Sequence, residues 1–214
     1  EDLVAGAGVA VGFGQFKKTL LRLQNEEGAA NINLVTPSHY VPTIAAALRS
    51  LKEWEQLHIP VVYNTSSYDS VDSLRMLRGF VDVYLADFKY ASSDIAQKLS
   101  HAANYPTVAF AALDEMVDQV TDWEEDDQGL LKQGVIVRHL VLPGHIEESF
   151  RVLKVLHERY KDKIRLSIMN QYTPLRGNLA RYGLEGRVSF EEYEQVLDYA
   201  DFLGIENYFW QEGG

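Results

Sequence analysis

An acid and an amine two residues apart, Asp87 and Lys89, close an apolar run from Val81 to Ala86. Side chains two apart on a strand share a face, so both can project from the carboxyl end of one strand. Such a pair can anchor a zwitterionic ligand, neutralise itself as an ion pair, or, with the amine uncharged, attack a carbonyl to form a Schiff base. Polar groups recur at the ends of the other apolar runs: Thr36, Ser38 and His39; Asn64, Thr65 and Ser66; Arg138 and His139; Asn170 and Gln171. Hydroxyls and amides with one acid and a few bases suit a ligand that carries an ammonium, a carboxylate and hydroxyls. Asp87 would meet the amine, and Lys89, Arg138 or His139 the carboxylate. Arg138 and His139 are adjacent, so only one of them faces the interior of a regular sheet.

The elements that must position these residues alternate. Apolar, β-branched runs predict strands over Asn31–Val35, Ile59–Tyr63, Val81–Ala86, Gly134–Leu142, Ile164–Met169 and Ile205–Trp210. The Val81–Ala86 run reads as a strand buried on both faces. Helical spacing predicts helices from Gln15 to Glu27, from Pro42 to about Leu57, and over Val71–Leu77, capped by Asp69 or Ser70. Further helices follow over Ser92–His101, Pro106–Val120 and Glu147–Tyr160, and from the capping box Ser189-Phe190-Glu191-Glu192 to Leu203. Asp122–Asp127 reads as a solvated acidic loop. Strand–helix alternation implies a parallel sheet with crossover helices, an α/β fold whose carboxyl strand ends share one rim, as in a whole or partial barrel. Residues 1–14 read as a flexible lead-in and 15–212 as one domain; Gly6-x-Gly8 has no strand ahead of it to make a dinucleotide loop.

Composition excludes several classes. A formal charge of −11 over 214 residues argues against nucleic acid or an anionic membrane surface as a partner. No apolar run reaches the roughly 18 residues of a membrane span, and no secretory leader opens the chain, so a cytoplasmic location is expected. The chain holds no cysteine, which removes disulfides and any thiolate-held metal of its own. Gly-x-Ser-x-Gly and His-Glu-x-x-His are both absent.

Six ordered blocks, at 28–40, 59–68, 81–90, 135–144, 164–174 and 191–211, together resemble the radical S-adenosylmethionine proteins related to pyruvate formate-lyase activating enzyme, in the branch labelled PflX-like. The resemblance spans about residues 15 to 212. It implies a partial parallel (β/α) barrel of about six units, with the family's first strand absent from this chain. It also implies bound S-adenosylmethionine and a [4Fe–4S] cluster that cleaves it reductively to a 5′-deoxyadenosyl radical. The substrate would be a protein glycine on a glycyl-radical enzyme, or a small molecule. By position, Thr36 and Pro37 fall where the family meets the methionine amino group, although its Gly-Gly-Glu is here Thr-Pro-Ser-His. Asn64 and Thr65 sit at the next strand end, and Asp87 and Lys89 match the Asp-x-Lys motif. Arg138, Asn170 and Gln171 occupy the later ligand- or substrate-facing strand ends.

The family's Cys-x-x-x-Cys-x-x-Cys motif is missing. It would stand just ahead of Glu1, so the resemblance implies a segment of a longer protein, inactive alone. Two other readings stand beside it: an aldolase-type barrel using Lys89 as a Schiff-base amine, and a degenerate domain that binds a ligand without catalysis.

Overall fold

A computed structural model of the chain describes residues 9–54, 56–120, 122–174 and 182–211. The elements run α1 (Phe13–Asn25), β1 (Ile32–Val35), α2 (Val41–Glu53), β2 (Val61–Thr65), α3 (Val71–Arg75) and β3 (Val83–Asp87). They continue with α4 (Ser93–Ser100), α5 (Tyr105–Gln119), β4 (Glu124–Glu125), β5 (Leu131–Leu140), α6 (Ile146–Tyr160), β6 (Arg165–Met169), α7 (Phe190–Phe202) and β7 (Tyr208–Phe209). Six strands pair in parallel in the order β1-β2-β3-β5-β6-β7. The sheet stays open, with β1 and β7 at its edges among the described residues, and forms a partial (β/α) barrel. The predicted pair Gly6 and Gly8 and the segment 175–181 lie outside the described residues.

Register and pleat divide the sheet into two unlike faces. Ile32, Leu34, Val61, Tyr63, Tyr84, Ala86, Val135, Val137, Leu166 and Ile168 are buried beneath the helices in one core. The helices meet them with apolar stripes at helical spacing, such as Val41, Ile44, Leu48 and Leu51 on α2 and Val152, Leu153, Leu156 and Tyr160 on α6. The alternate residues, Val62, Asn64, Leu85, Asp87, Ile136, Arg138, Ser167 and Met169, are only half-buried and line the barrel interior. The expectation that β3 is buried on both faces holds only at its start: on the interior face Val83 is buried, whereas Leu85 beyond it is half-buried.

Local chemistry sets the ends of the elements. Ser189 caps α7, accepting from Glu192 N–H while the Glu192 carboxylate accepts from Ser189 N–H, the predicted capping box. Ser70, not Asp69, caps α3 by accepting from Ser73 N–H. Ahead of β3, the Asp82 carboxylate accepts from Val61 N–H and pairs with Lys52 at 3.0 Å, fixing the start of β2 against β3. The second strand runs to Thr65, so Asn64 and Thr65 belong to the strand itself.

The acidic run 122–127 is not all loop. Glu124 and Glu125 form β4, antiparallel to the start of β5, across a turn in which the Asp126 carboxylate accepts from Gln128 and Leu130 N–H. This hairpin brings the Trp123 ring over Gly134 on the interior face, with the Arg165 guanidinium 5.3 Å from the ring centre. A Cβ at Gly134 would lie 2.7 Å from Trp123 Cε3. Gly134→Ala is accordingly expected to destabilise the fold by about 1–3 kcal/mol through overpacking, read as a lower urea midpoint at unchanged m-value. An unchanged midpoint would mean that the Trp123 ring moves aside freely.

Candidate ligand site at the carboxyl strand ends

Three of the predicted residues meet. Arg138 on β5 donates from Nε to Asp87 Oδ1 at 2.8 Å, and its Nη2 lies 2.6 Å from the same oxygen in the ion pair. The same Nη2 donates to Asn64 Oδ1 at 2.8 Å. One guanidinium thus ties together the ends of β2, β3 and β5 on the interior face. The partner of Asp87 is Arg138 and not the neighbouring Lys89. Among the described residues, Asp87 Oδ2, Arg138 Nη1 and Asn64 Nδ2 take no hydrogen bond, which leaves one acceptor and two donor groups on the interior side. About a quarter of each charged side chain is exposed, so the pair keeps contact with the interior space.

The other predicted residues are distributed around this centre. Thr36, exposed and at a left-handed φ of 51°, continues the rim by donating its N–H to Asn64 C=O at 2.9 Å. With Pro37 it lines a groove of about 500 Å³ beside β1, walled by Phe13, Phe16, Val35 and Tyr40. Thr65 faces the helices: it is buried, and its hydroxyl is hydrogen-bonded to Asp69 and accepts from Ser67 N–H. Lys89 is exposed on the rim with no ion-pair partner among the described residues. An amine used as a Schiff-base nucleophile is commonly held in an apolar pocket, and Lys89 is exposed at the rim instead. At the end of β6, Asn170 donates its N–H to Gln211 Oε1 at 3.1 Å, and exposed Gln171 reaches back to Met169 Sδ. Neither residue bonds to the Asn64–Arg138–Asp87 centre.

Adjacent Arg138 and His139 divide as pleating requires. His139 is buried on the helix face, its Nδ1 2.9 Å from Phe88 C=O and its Nε2 2.9 Å from Ser149 Oγ. A carbonyl only accepts, so Nδ1 carries the proton and Nε2 accepts from the serine hydroxyl. Burial holds the His139 pKa below its ordinary value. Sequence reading missed Tyr105 and Glu148 on the helix face, and took Asp69 only for a helix cap, whereas its carboxylate accepts from the Tyr63 and Thr65 hydroxyls. Buried Glu148 accepts from Ala91 and Ser92 N–H and from Ser92 Oγ, and it pairs with Arg151. Burial alone would push its pKa up; these four donors hold it below the usual range. Among the described residues no cluster of His, Asp or Glu is arranged to hold a metal ion.

The arrangement defines a class of protein by its fold. A radical SAM methyltransferase from Sphaerobacter thermophilus superposes with a TM-score of 0.63 at 16% identity, covering 95% of this chain and 59% of that one. A domain of pyruvate-formate lyase-activating enzyme from Bacteroides vulgatus gives 0.59 at 10% identity, over 85% and 98% of the two chains. Streptococcus suis SuiB bound to its precursor peptide SuiA gives 0.61 at 12% identity, over 96% and 43%. The chain has the partial-barrel fold of the radical SAM enzymes, pyruvate formate-lyase activating enzyme among them.

In sequence, the chain is 29% identical over 177 residues to an uncharacterized protein of Methanocaldococcus jannaschii, covering 82% of this chain and 47% of that protein. The chain therefore spans about half the length of the curated relative it matches. No family model matches it. No helix among the described residues is long and apolar enough to cross a membrane.

Neutral, buried His139 has a signed consequence for stability. Its folded pKa lies below its unfolded value near 6.5, so the unfolded chain binds the proton first. The stability is complete above that value and is lost as pH falls toward the folded pKa. Unfolding free energy should therefore decline between about pH 7 and pH 5, and His139→Gln should flatten that part of the profile. An identical slope in the variant would remove His139 as the source.

Proposed function

We propose that this chain is the S-adenosylmethionine-holding and substrate-facing core of a radical S-adenosylmethionine enzyme. The observation that carries the reading is the Asn64–Arg138–Asp87 centre on the interior face of this fold, where, among the described residues, one carboxylate oxygen and two sets of N–H groups are unengaged. The donor set fits the ligand. Asp87 Oδ2 would accept from its ammonium or ribose hydroxyls, and Asn64 Nδ2 and Arg138 Nη1 would donate to its carboxylate or ring nitrogens. Thr36 and Pro37 would border the methionine end, and Lys89 would offer a cation at the rim. Asn170 and Gln171 would face the substrate from the β6 side, while Thr65 would act through Asp69 by shaping the β2 loop.

The residues present do not fit a [4Fe–4S] cluster. No cysteine occurs in the 214 residues, so thiolates for a cluster would come from elsewhere in the protein, and no step through one is assigned to this chain. The role of these residues is binding and orientation. Asp87 and Arg138 neutralise one another, so the site would take a zwitterion without a net electrostatic cost from the pair.

A peptide or protein substrate, a glycyl-radical enzyme among the possibilities, is supported by the precursor peptide bound to SuiB. A small molecule is the other option, since fold alone does not fix substrate. Full-length protein carrying this chain, reconstituted anaerobically with iron and sulfide and given a reductant, should release 5′-deoxyadenosine from S-adenosylmethionine. Arg138→Ala should lower kcat/KM for that release by about 10- to 100-fold, the loss expected for one charge-assisted contact set. No release from the reconstituted wild-type protein would contradict the reading.

A further inference from the structure

Every backbone polar group from Asp87 C=O to Lys89 N–H is engaged, and the engagement does not come from an ordinary ladder. Phe88 N–H donates to Arg138 C=O at 2.8 Å, the last sheet bond on that side. Phe88 C=O accepts from His139 Nδ1. The remaining two groups meet one side chain: Lys89 N–H donates to the Tyr105 hydroxyl at 3.0 Å, and that hydroxyl lies 3.0 Å from Asp87 C=O and 3.0 Å from Ser66 C=O. Thr65 and Ala86 are the last residues paired between β2 and β3. Ser66 and Asp87 are the next residues along each strand, where the ladder has stopped. A single hydroxyl at the start of α5 thus supplies one further rung between the two strands.

The position of that hydroxyl is fixed. Tyr105 is 4% exposed. Its ring stacks on Tyr68 with centroids 5.9 Å apart and is met edge-on by Phe88 and Tyr90. Burial pushes its pKa up, so the hydroxyl keeps its proton and can both donate and accept. The two segments that it joins carry Asn64 two residues before Ser66, and Asp87 itself. These are the two side chains that Arg138 bridges.

We infer that Tyr105 is a positioning residue for the ligand site: its hydroxyl sets the separation of the β2 and β3 ends at which Asn64 and Asp87 can share Arg138. The hydroxyl touches backbone only and acts on the ligand through Asp87 and Asn64. The inference rests on the reading of the interior centre as the S-adenosylmethionine site, and it also makes a claim independent of any ligand, namely the geometry of the Arg138 bridge.

The test is Tyr105→Phe, which keeps the aromatic stack and removes only the hydroxyl, measured in full-length protein with two readouts. The first is S-adenosylmethionine affinity by calorimetry, alone and in an Asp87→Asn background. Tyr105→Phe is expected to weaken binding at least tenfold in the wild-type background and by less than threefold beside Asp87→Asn, because both changes act on one arrangement. The second is the NMR signal of Arg138 Nε–H without ligand, which should lose its shift and its protection from exchange in Tyr105→Phe while remote core amides keep theirs. Unchanged affinity, or an equal loss in both backgrounds, overturns the inference and leaves the binding reading standing. Wild-type protein that binds no S-adenosylmethionine, yet loses the Arg138 signal in Tyr105→Phe, refutes the ligand reading and upholds the positioning role. An unaltered Arg138 signal overturns the inference in either case.

Discussion

A single guanidinium joins three strand ends. Arg138 can meet Asp87 and Asn64 only if β3 lies between β2 and β5, with their carboxyl ends level and their interior faces in phase. Parallel pairing alone leaves that arrangement open, since a one-residue slip would turn Arg138 to the helix face and His139 to the interior. Both side chains resist the slip. His139 is satisfied only on the helix face, between Phe88 C=O and Ser149, and the Arg138 charge finds its carboxylate only on the interior face. The pair therefore fixes the register that forms the site.

The rest of the fold supports this arrangement from the buried side. Tyr105, His139 and Glu148 take up Asp87 C=O, Phe88 C=O and the N–H groups of Lys89, Ala91 and Ser92, which hold the loop after β3 in place. A buried backbone group left unpaired would cost about 1–3 kcal/mol. At the opposite end of the interior, Trp123 lies over Gly134 and beside Arg165, so the half-buried face has a floor and opens toward the carboxyl ends.

Much of this was legible in the sequence, for identifiable reasons. The six parallel strands announced themselves because β-branched runs such as Val61–Tyr63 and Val135–Val137 have few other uses. Adjacent Arg138 and His139 had to divide between two faces, although nothing local said which way. The double burial expected of β3 holds at Val83 but not at Leu85, because Val62, Leu85 and Ile136 are apolar yet look into an open interior, and composition does not separate such a face from one beneath a helix. Glu124 and Glu125 disfavour a strand, and only the Asp126-x-x-Gly129 turn brings them to β5. The partner of Asp87 was hidden most deeply. Lys89 is its neighbour in sequence, whereas Arg138 stands 51 residues away and is brought to it by register alone.

The interior centre is where we propose that the ligand is held. The most direct measurement is a crystal structure of the full-length protein with S-adenosylmethionine. A ligand held there lies within hydrogen-bond distance of Asp87 Oδ2 and at least one of Asn64 Nδ2 and Arg138 Nη1, with the Arg138 bridge intact. A ligand seated in the groove beside β1, or on the helix face, with Asn64, Asp87 and Arg138 untouched, would contradict it.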